Sequence, residues 1–297
     1  MPELKQLRNR RRRNDPTTAF VLSGGGNQGV AQVGMLRALV ERGILPDVII
    51  GTSAGALNGA ALSDDPTLEG LDHLQEVWAS LTAAEIFPGG RMSRIWSIAS
   101  RQNHLFSNTG LEHVIERASR TETFEELQIP LRVIACDLYS GEEVVLAHGD
   151  LKTALLASSA LPGVYPPIVH AGHTLIDGGV VNAVPLWHAL SGPVDRVFVL
   201  NVSAAGVGAR TANSQLDVVM SAFAIARHQR YKLELQHTDR HDAEVIVLPR
   251  PTDPREQYDF AGGEKLIQTA HDMVSDFLDH PDRNERPKRR FRLFRVA

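Results

Sequence analysis

The sequence predicts an α/β fold with a mostly parallel central sheet and helices on both faces. Three observations carry that expectation. Short apolar runs at 19–22, 48–50, 131–136, 195–201 and 244–248 alternate with stretches of helical character, an order that closes into a parallel sheet covered on both sides. Two of the runs lead at once into a glycine-bearing turn and then a helix: Ser23-Gly24-Gly25-Gly26-Asn27-Gln28-Gly29 after the first, Gly51-Thr52-Ser53-Ala54-Gly55 after the second. The composition, 43% hydrophobic and 22% charged over 297 residues, is that of an ordinary globular domain.

Taken in order, Ala19-Phe20-Val21-Leu22 reads as a buried strand. The helix after the glycine cluster runs from Val30 to Arg42, with Val30, Val33, Met35, Leu36, Leu39 and Val40 at the spacings of an apolar stripe and Gly43 as its stop. Val48-Ile49-Ile50 is the second strand, and Ala54 to Leu62 the helix that follows it. Residues 64–130 form the largest insertion between early strands, with helices expected over Thr67–Leu81 and Asn108–Arg120. Between them, Ile86-Phe87-Pro88-Gly89-Gly90 and Ile95-Trp96 place large apolar residues in a poorly patterned stretch. That stretch reads either as a helical layer with core contacts or as a mobile flap. Glu143–Ala147 and Thr174–Ile176 are expected to add antiparallel strands. There is no internal repeat and no metal-ligand spacing.

Gly51-Thr52-Ser53-Ala54-Gly55 is a G-x-S-x-G box in strand–turn–helix context, the setting of a nucleophile elbow. Such a turn exposes the serine hydroxyl above the sheet, and the next helix points its free N–H groups at the same place. The first glycine cluster offers backbone N–H groups to an anion, which suits an oxyanion hole or a dinucleotide site. Gly24, Gly26 and Gly29 do satisfy G-x-G-x-x-G. A dinucleotide site also wants an acid at the end of the next strand. Here Asp47 precedes that strand and the serine box ends it, so no nucleotide cofactor is expected.

A glycine-rich loop followed by an elbow on the very next strand resembles the patatin-like phospholipase family. The likeness continues through Ala135-Cys136-Asp137-Leu138 with Ser140-Gly141-Glu142, through Ala157-Ser158-Ser159-Ala160-Leu161-Pro162-Gly163-Val164-Tyr165-Pro166-Pro167, and through Asp177-Gly178-Gly179. It covers roughly Thr18 to His280, and is nearest to the small bacterial single-domain type. The resemblance implies a three-layer sandwich and a Ser–Asp dyad without histidine, metal or organic cofactor. In that dyad Ser53 is the nucleophile and Asp177 its base. The oxyanion hole would come from the N–H groups of Gly25 and Gly26, joined by Ala54. Gly24, Asn27, Gln28, Gly29, Gly51, Gly55, Gly178 and Gly179 would be the motif loops around it. Without the resemblance, Asp-Gly-Gly reads as a turn. The implied activity is that of a lipid acyl hydrolase of phospholipase A, lysophospholipase or esterase type. Gln28 departs from the pattern, which has Arg or Lys two residues after the glycine triplet.

Two alternatives stand beside this. One is a lipid-binding regulatory protein with weak or lost turnover, which the neutral Gln28 makes thinkable. The other is a Ser–His–Asp hydrolase, for which His228, His237, His241 and His271 lie late enough in the chain. His228 and His237 fall on a polar helix-like stretch and are expected to be solvated. The elbow also comes early, after the second strand, which argues against the triad order.

The formal charge of −4 is unevenly spread: residues 1–15 carry +4, residues 281–297 carry +5, and the body between carries −13. The expected organisation is a basic disordered tail at 1–15, one hydrolase domain over 16–280, and a second basic tail at 281–297. The tails read as solvated ends or as peripheral contacts with anionic membrane, with Phe291, Leu293 and Phe294 interleaved among arginines. The acidic body argues against nucleic acid. Cys136 is the only cysteine and is expected to be a small buried hydrophobe. The N-terminal arginines lack an apolar segment after them, and no apolar run is long enough to span a bilayer. These features lead us to expect a cytoplasmic protein, peripheral to the inner face of the membrane.

Overall fold

Period-two alternation along the strands sorts this protein into layers. The computed structural model describes residues 16–87, 103–203, 215–238, 241–251 and 262–280. Both basic tails, and the Pro88-Gly89-Gly90 and Ile95-Trp96 part of the expected flap, lie outside the described residues. The strands are β1 (Thr18–Leu22), β2 (Val48–Thr52), β3 (Leu131–Asp137), β4 (Glu143–Leu146), β5 (Ile168–His170), β6 (His173–Asp177), β7 (Arg196–Leu200) and β8 (Glu244–Val247). They form one eight-stranded sheet along the path β5-β6-β3-β2-β1-β7-β8, with β4 also paired to β3. The pairs linking β3, β2, β1, β7 and β8 are parallel, and β4, β5 and β6 join antiparallel. The parallel sheet and its two expected antiparallel additions are thus in place. Only β5 was not foreseen, because three residues are too few to show a period.

The helices are α1 (Val30–Glu41), α2 (Ala54–Asp64), α3 (Leu68–Ser80), α4 (Ala83–Ile86), α5 (Thr109–Ala118), α6 (Leu151–Ser159), α7 (Leu186–Leu190), α8 (Gln215–Gln236) and α9 (Gly263–Asp279). On one face of the sheet Phe20, Leu22, Ile49, Phe198 and Leu200 pack against α1, α2, α3, α5, α6 and α9. Their strand neighbours Ala19, Val21, Ile50, Val197 and Val199 pack on the other face with Leu186, Ala189 and Leu190 of α7 and Tyr231 of α8. The result is a three-layer sandwich. Phe20 and Phe198 meet edge to face at 5.7 Å across β1 and β7, a contact worth about 1 kcal/mol beyond area burial. The expected helices within 64–130 appear as α3 and α5. Thr67 caps α3 by accepting the Gly70 N–H at 3.1 Å, and Asp150 caps α6 through Thr153 N–H at 2.6 Å, each cap worth about 1 kcal/mol. Cys136 is buried, as expected.

The register around β3 sets where the ends of its neighbours meet. Ile134 pairs with Thr52 of β2 and Val145 of β4, while Ala135 pairs with Val144 of β4 and Asp177 of β6. A strand has two edges, and β4 occupies one of them continuously. Strands β2 and β6 therefore share the other edge, running toward each other and ending at adjacent positions of β3.

Candidate active site

Ser53 follows the last residue of β2 and opens α2. Its backbone sits at φ 53° and ψ −124°, a conformation that costs a non-glycine residue on the order of 1–3 kcal/mol and persists only when its surroundings impose it. They do so here. A β-carbon on Gly55 would run into the Leu22 carbonyl, so only glycine lets the turn fold back onto β1. The Ser53 N–H donates to Ser158 Oγ at 2.8 Å, and Ser158 Oγ donates to the Ile134 carbonyl at 2.6 Å. Ser158, fully buried on α6, thus ties the elbow to the strand beside it. Gly51 lies within β2, opposite Leu22 and Val133.

Asp177 ends β6. Its N–H donates to the Ala160 carbonyl at 2.9 Å, and its Oδ1 accepts the Gly179 N–H at 2.6 Å. Gly178 begins a short 3-10 turn, and a β-carbon there would collide with the Ile134 carbonyl. The close approach brings the carboxylate to the elbow, close enough for the Ser53 side chain to act on its charge. Burial pushes the Asp177 carboxyl above the usual range, while the bond from Gly179, the nearby Ser53 side chain and the charge of Arg227 pull the other way. A carboxylate held this way is a stronger proton acceptor than one in water.

The glycine loop leaves β1 beside the serine. Gly24 donates to the Ala183 carbonyl at 2.9 Å, and a β-carbon on Gly24 would stand 3.3 Å from that of Ser53. Gly26-Asn27-Gln28-Gly29 forms a 3-10 turn leading into α1. The Gly25 and Gly26 N–H groups are not taken up by hydrogen bonds among the described residues. The Ala54 N–H belongs to the first turn of α2, where such donors have no partner within the helix. Asn27 is buried and Gln28 partly exposed. Asp47, which a dinucleotide site would need past β2, binds the Thr18 N–H at 2.7 Å at the opposite end of the strands.

A buried polar lattice fixes this loop from below. Gln32 Nε2 donates to the Ser23 and Leu200 carbonyls, both at 2.9 Å. Asn58 Nδ2 donates to the Gly29 carbonyl at 2.9 Å and to Gln32 Oε1 at 2.8 Å, and Asn58 Oδ1 accepts the Trp78 Nε1–H at 2.8 Å. Fully satisfied networks of this kind rigidify what they support.

All twelve histidines fall among the described residues, and none hydrogen-bonds Ser53 or Asp177 there. His271 bonds Glu41 at 2.7 Å on the terminal helix, His237 bonds the Leu233 carbonyl, and His241 stacks edge-on to Trp187. His228 is half-buried with its Nδ1 unpartnered, not solvated as expected. Burial holds its pKa below the usual histidine value, helped by the charges of Lys232 and Arg250. Ser53, Asp177 and the glycine loop are therefore brought together, and the late histidines are not. Sequence reasoning missed Gln32, Asn58 and Arg227, and gave Ser158 no role of its own. A polar residue inside an apolar helical stripe, as Gln32 is, was the one usable signal.

Several known proteins are similar to this chain. Patatin-like phospholipase domain-containing protein 7 of Mus musculus is 33% identical over 186 residues, which are 62% of this chain and 13% of that protein. Lysophospholipase NTE1 of Mycosarcoma maydis is 30% identical over 187 residues, 62% of this chain and 9% of its own length. The chain thus spans only a small part of these relatives. Among solved structures, VipD from Legionella pneumophila aligns with a TM-score of 0.43 and 16% identity over 89% of this chain and 67% of that one. The family model described as patatin-like phospholipase matches residues 20–190, more than half of the sequence, a span that holds the glycine loop, the elbow and Asp177. This chain belongs to the patatin-like phospholipase family.

Proposed function

We propose that this protein hydrolyses a carboxylic ester of a lipid with a Ser53–Asp177 dyad. The observation that carries the reading is the placement of the elbow serine and Asp177 at the facing ends of β2 and β6, with burial raising the basicity of the Asp177 carboxylate. Asp177 takes the hydroxyl proton as Ser53 Oγ attacks the ester carbonyl. The N–H groups of Gly25, Gly26 and Ala54 hold the developing oxyanion. As the tetrahedral intermediate collapses, Asp177 returns the proton to the departing alcohol and an acyl-Ser53 ester remains. Water then attacks that ester, giving its proton to Asp177, and the fatty acid leaves as Ser53 regains its own. Strain stored at Ser53 and the lattice behind the glycine loop support the reading, because both keep nucleophile and donors in place before substrate arrives.

A relative bearing the name lysophospholipase makes single-chain phospholipids the first substrates to try. Under the same reading the basic tails attract the protein to anionic membrane, where such substrates reside. A fluorophosphonate probe tests the nucleophile: it should label Ser53 and leave a Ser53→Ala protein unlabelled. Absence of labelling in the folded wild-type protein would favour the lipid-binding alternative.

A further inference from the structure

Arg227 reaches from α8 to the Asp177 end of the site. Its Nη1 lies 3.4 Å from the point where a β-carbon of Gly179 would stand. Its charge acts on Asp177. Yet the pair is not closed by hydrogen bonds: Asp177 Oδ1 accepts from Gly179, and Arg227 Nε is buried with no partner. Three residues further along α8, Arg230 behaves differently, being held by Glu143 and by Glu234. The helix therefore presents one arginine fully committed to protein carboxylates and one left open beside the nucleophile.

An open guanidinium here is hard to account for as scaffolding. It has five N–H donors and no acceptor, and burying the Nε donor unpaired forfeits a hydrogen bond to water. A plain structural ion pair would have closed onto Asp177 in the two-pronged geometry that arginine and carboxylate favour. The glycine loop on the other side of Ser53 carries the neutral Gln28, so it supplies no side-chain cation of its own.

We propose that Arg227 is the anion subsite of this active site, binding a phosphate carried on the alcohol portion of the ester substrate. The proposal rests on the ester-hydrolase reading and names its substrate class: glycerol-based phospholipids or lysophospholipids, in preference to neutral glycerides. A phosphate offers the planar donors of Arg227 paired oxygens for the two-pronged contact that Asp177, held by Gly179, does not make with it. It would also fix the alcohol side of the ester toward Asp177, the group that must return a proton to it.

The test compares the full-length protein with Arg227→Gln and Arg227→Lys on two substrates of identical acyl chain, a lysophosphatidylglycerol and a monoacylglycerol. The readout is the ratio of kcat/KM for the phosphate-bearing ester to that for the neutral one, since removing a charge beside Asp177 lowers both. The ratio should fall about tenfold or more in Arg227→Gln and by less in Arg227→Lys, which keeps the charge but not the two-pronged contact. An equal loss on both substrates, or no change in either, overturns the subsite. Should Arg227→Gln fail to melt cooperatively, Arg227→Lys decides: a ratio lowered about threefold or more supports the proposal and an unchanged ratio overturns it. Calorimetric titration with sn-glycerol 3-phosphate separates this proposal from the hydrolase reading, because it needs no turnover. Wild-type binding that Arg227→Gln weakens about tenfold supports the subsite even in a protein that cleaves neither ester. Equal binding by both proteins overturns it. Binding of inorganic phosphate alone, with none of the glycerophosphate, overturns the assignment to a lipid.

Discussion

Ser53 and Asp177 stand at the facing ends of two strands that share one edge of β3. β2 ends with Thr52 opposite Ile134, and β6 ends with Asp177 opposite Ala135. The Ile134 carbonyl between them accepts Ser158 Oγ and lies hard against Gly178. Residues 124 apart in sequence thus meet because adjacent peptides of a third strand hold both. A parallel and an antiparallel strand are needed for this, since only opposed directions bring two C-terminal ends together.

The first prediction concerns that meeting. Ser53→Ala and Asp177→Asn should each lower kcat for ester hydrolysis by about a thousandfold or more while the proteins still melt cooperatively. Alanine at His228, His237, His241 or His271 should leave most of the activity. A folded histidine variant as inactive as Ser53→Ala would restore the triad alternative.

The pH profile has a sign fixed by Asp177. The dyad needs the carboxylate ionised, and burial raises its pKa. The acid limb of kcat/KM should therefore lie above the ordinary carboxylate range, near 4 in model peptides, with activity lost as pH falls through the raised value. Arg227 opposes the shift, so Arg227→Gln should move the limb to still higher pH. The linked stability contribution runs the other way: it is present below the unfolded pKa and is lost as pH rises through the raised folded one. A limb at or below the ordinary range would remove Asp177 from the role of base.

Ser158 gives a prediction about positioning. Ser158→Ala leaves the Ser53 N–H and the Ile134 carbonyl without their shared partner. The expected cost is about 1–3 kcal/mol of stability, read from denaturant midpoints. The kcat should fall about tenfold with KM little changed, because the elbow, not the lipid pocket, is loosened. Ser158→Thr, which keeps the hydroxyl, should recover part of the loss.

Much of the fold was legible in the sequence, for reasons that differ by element. Buried parallel strands such as Ala19-Phe20-Val21-Leu22 announce themselves as apolar runs, and their turns carry glycines because backbones approach closely at Gly55 and Gly178. The Ser–Asp pairing itself was not readable from spacing. It depends on β2 and β6 sharing an edge, a long-range register that local pattern does not encode. Arg227 was invisible for a related reason: it sits on a polar helix, where an arginine reads as solvated until the helix is laid against the sheet.

Gln28 supplies a gain-of-function prediction. Gln28→Arg adds a cation to the 3-10 turn Gly26–Gly29, beside the proposed oxyanion donors. Turnover should rise more on an anionic phospholipid than on a neutral short-chain ester, because a fixed positive charge favours both the headgroup and the developing oxyanion. Equal or lower turnover on both would mean that this loop works best with glutamine.

The tails give the last prediction. Removing residues 281–297 takes away seven basic residues and leaves a strongly acidic body. Each basic residue close to an anionic bilayer contributes up to about 1 kcal/mol, so truncation should weaken co-sedimentation with anionic vesicles. Binding by the full-length protein should fall as salt rises, since exposed charges are screened over about 10 Å at 0.1 M ionic strength. Neutral vesicles should bind poorly at every salt concentration. Hydrolysis of a soluble short-chain ester should change little, because the segment lies outside the region that carries Ser53, Asp177 and the glycine loop. Equal vesicle binding by the two forms would assign the tail to solvent and leave any membrane attraction to the folded body.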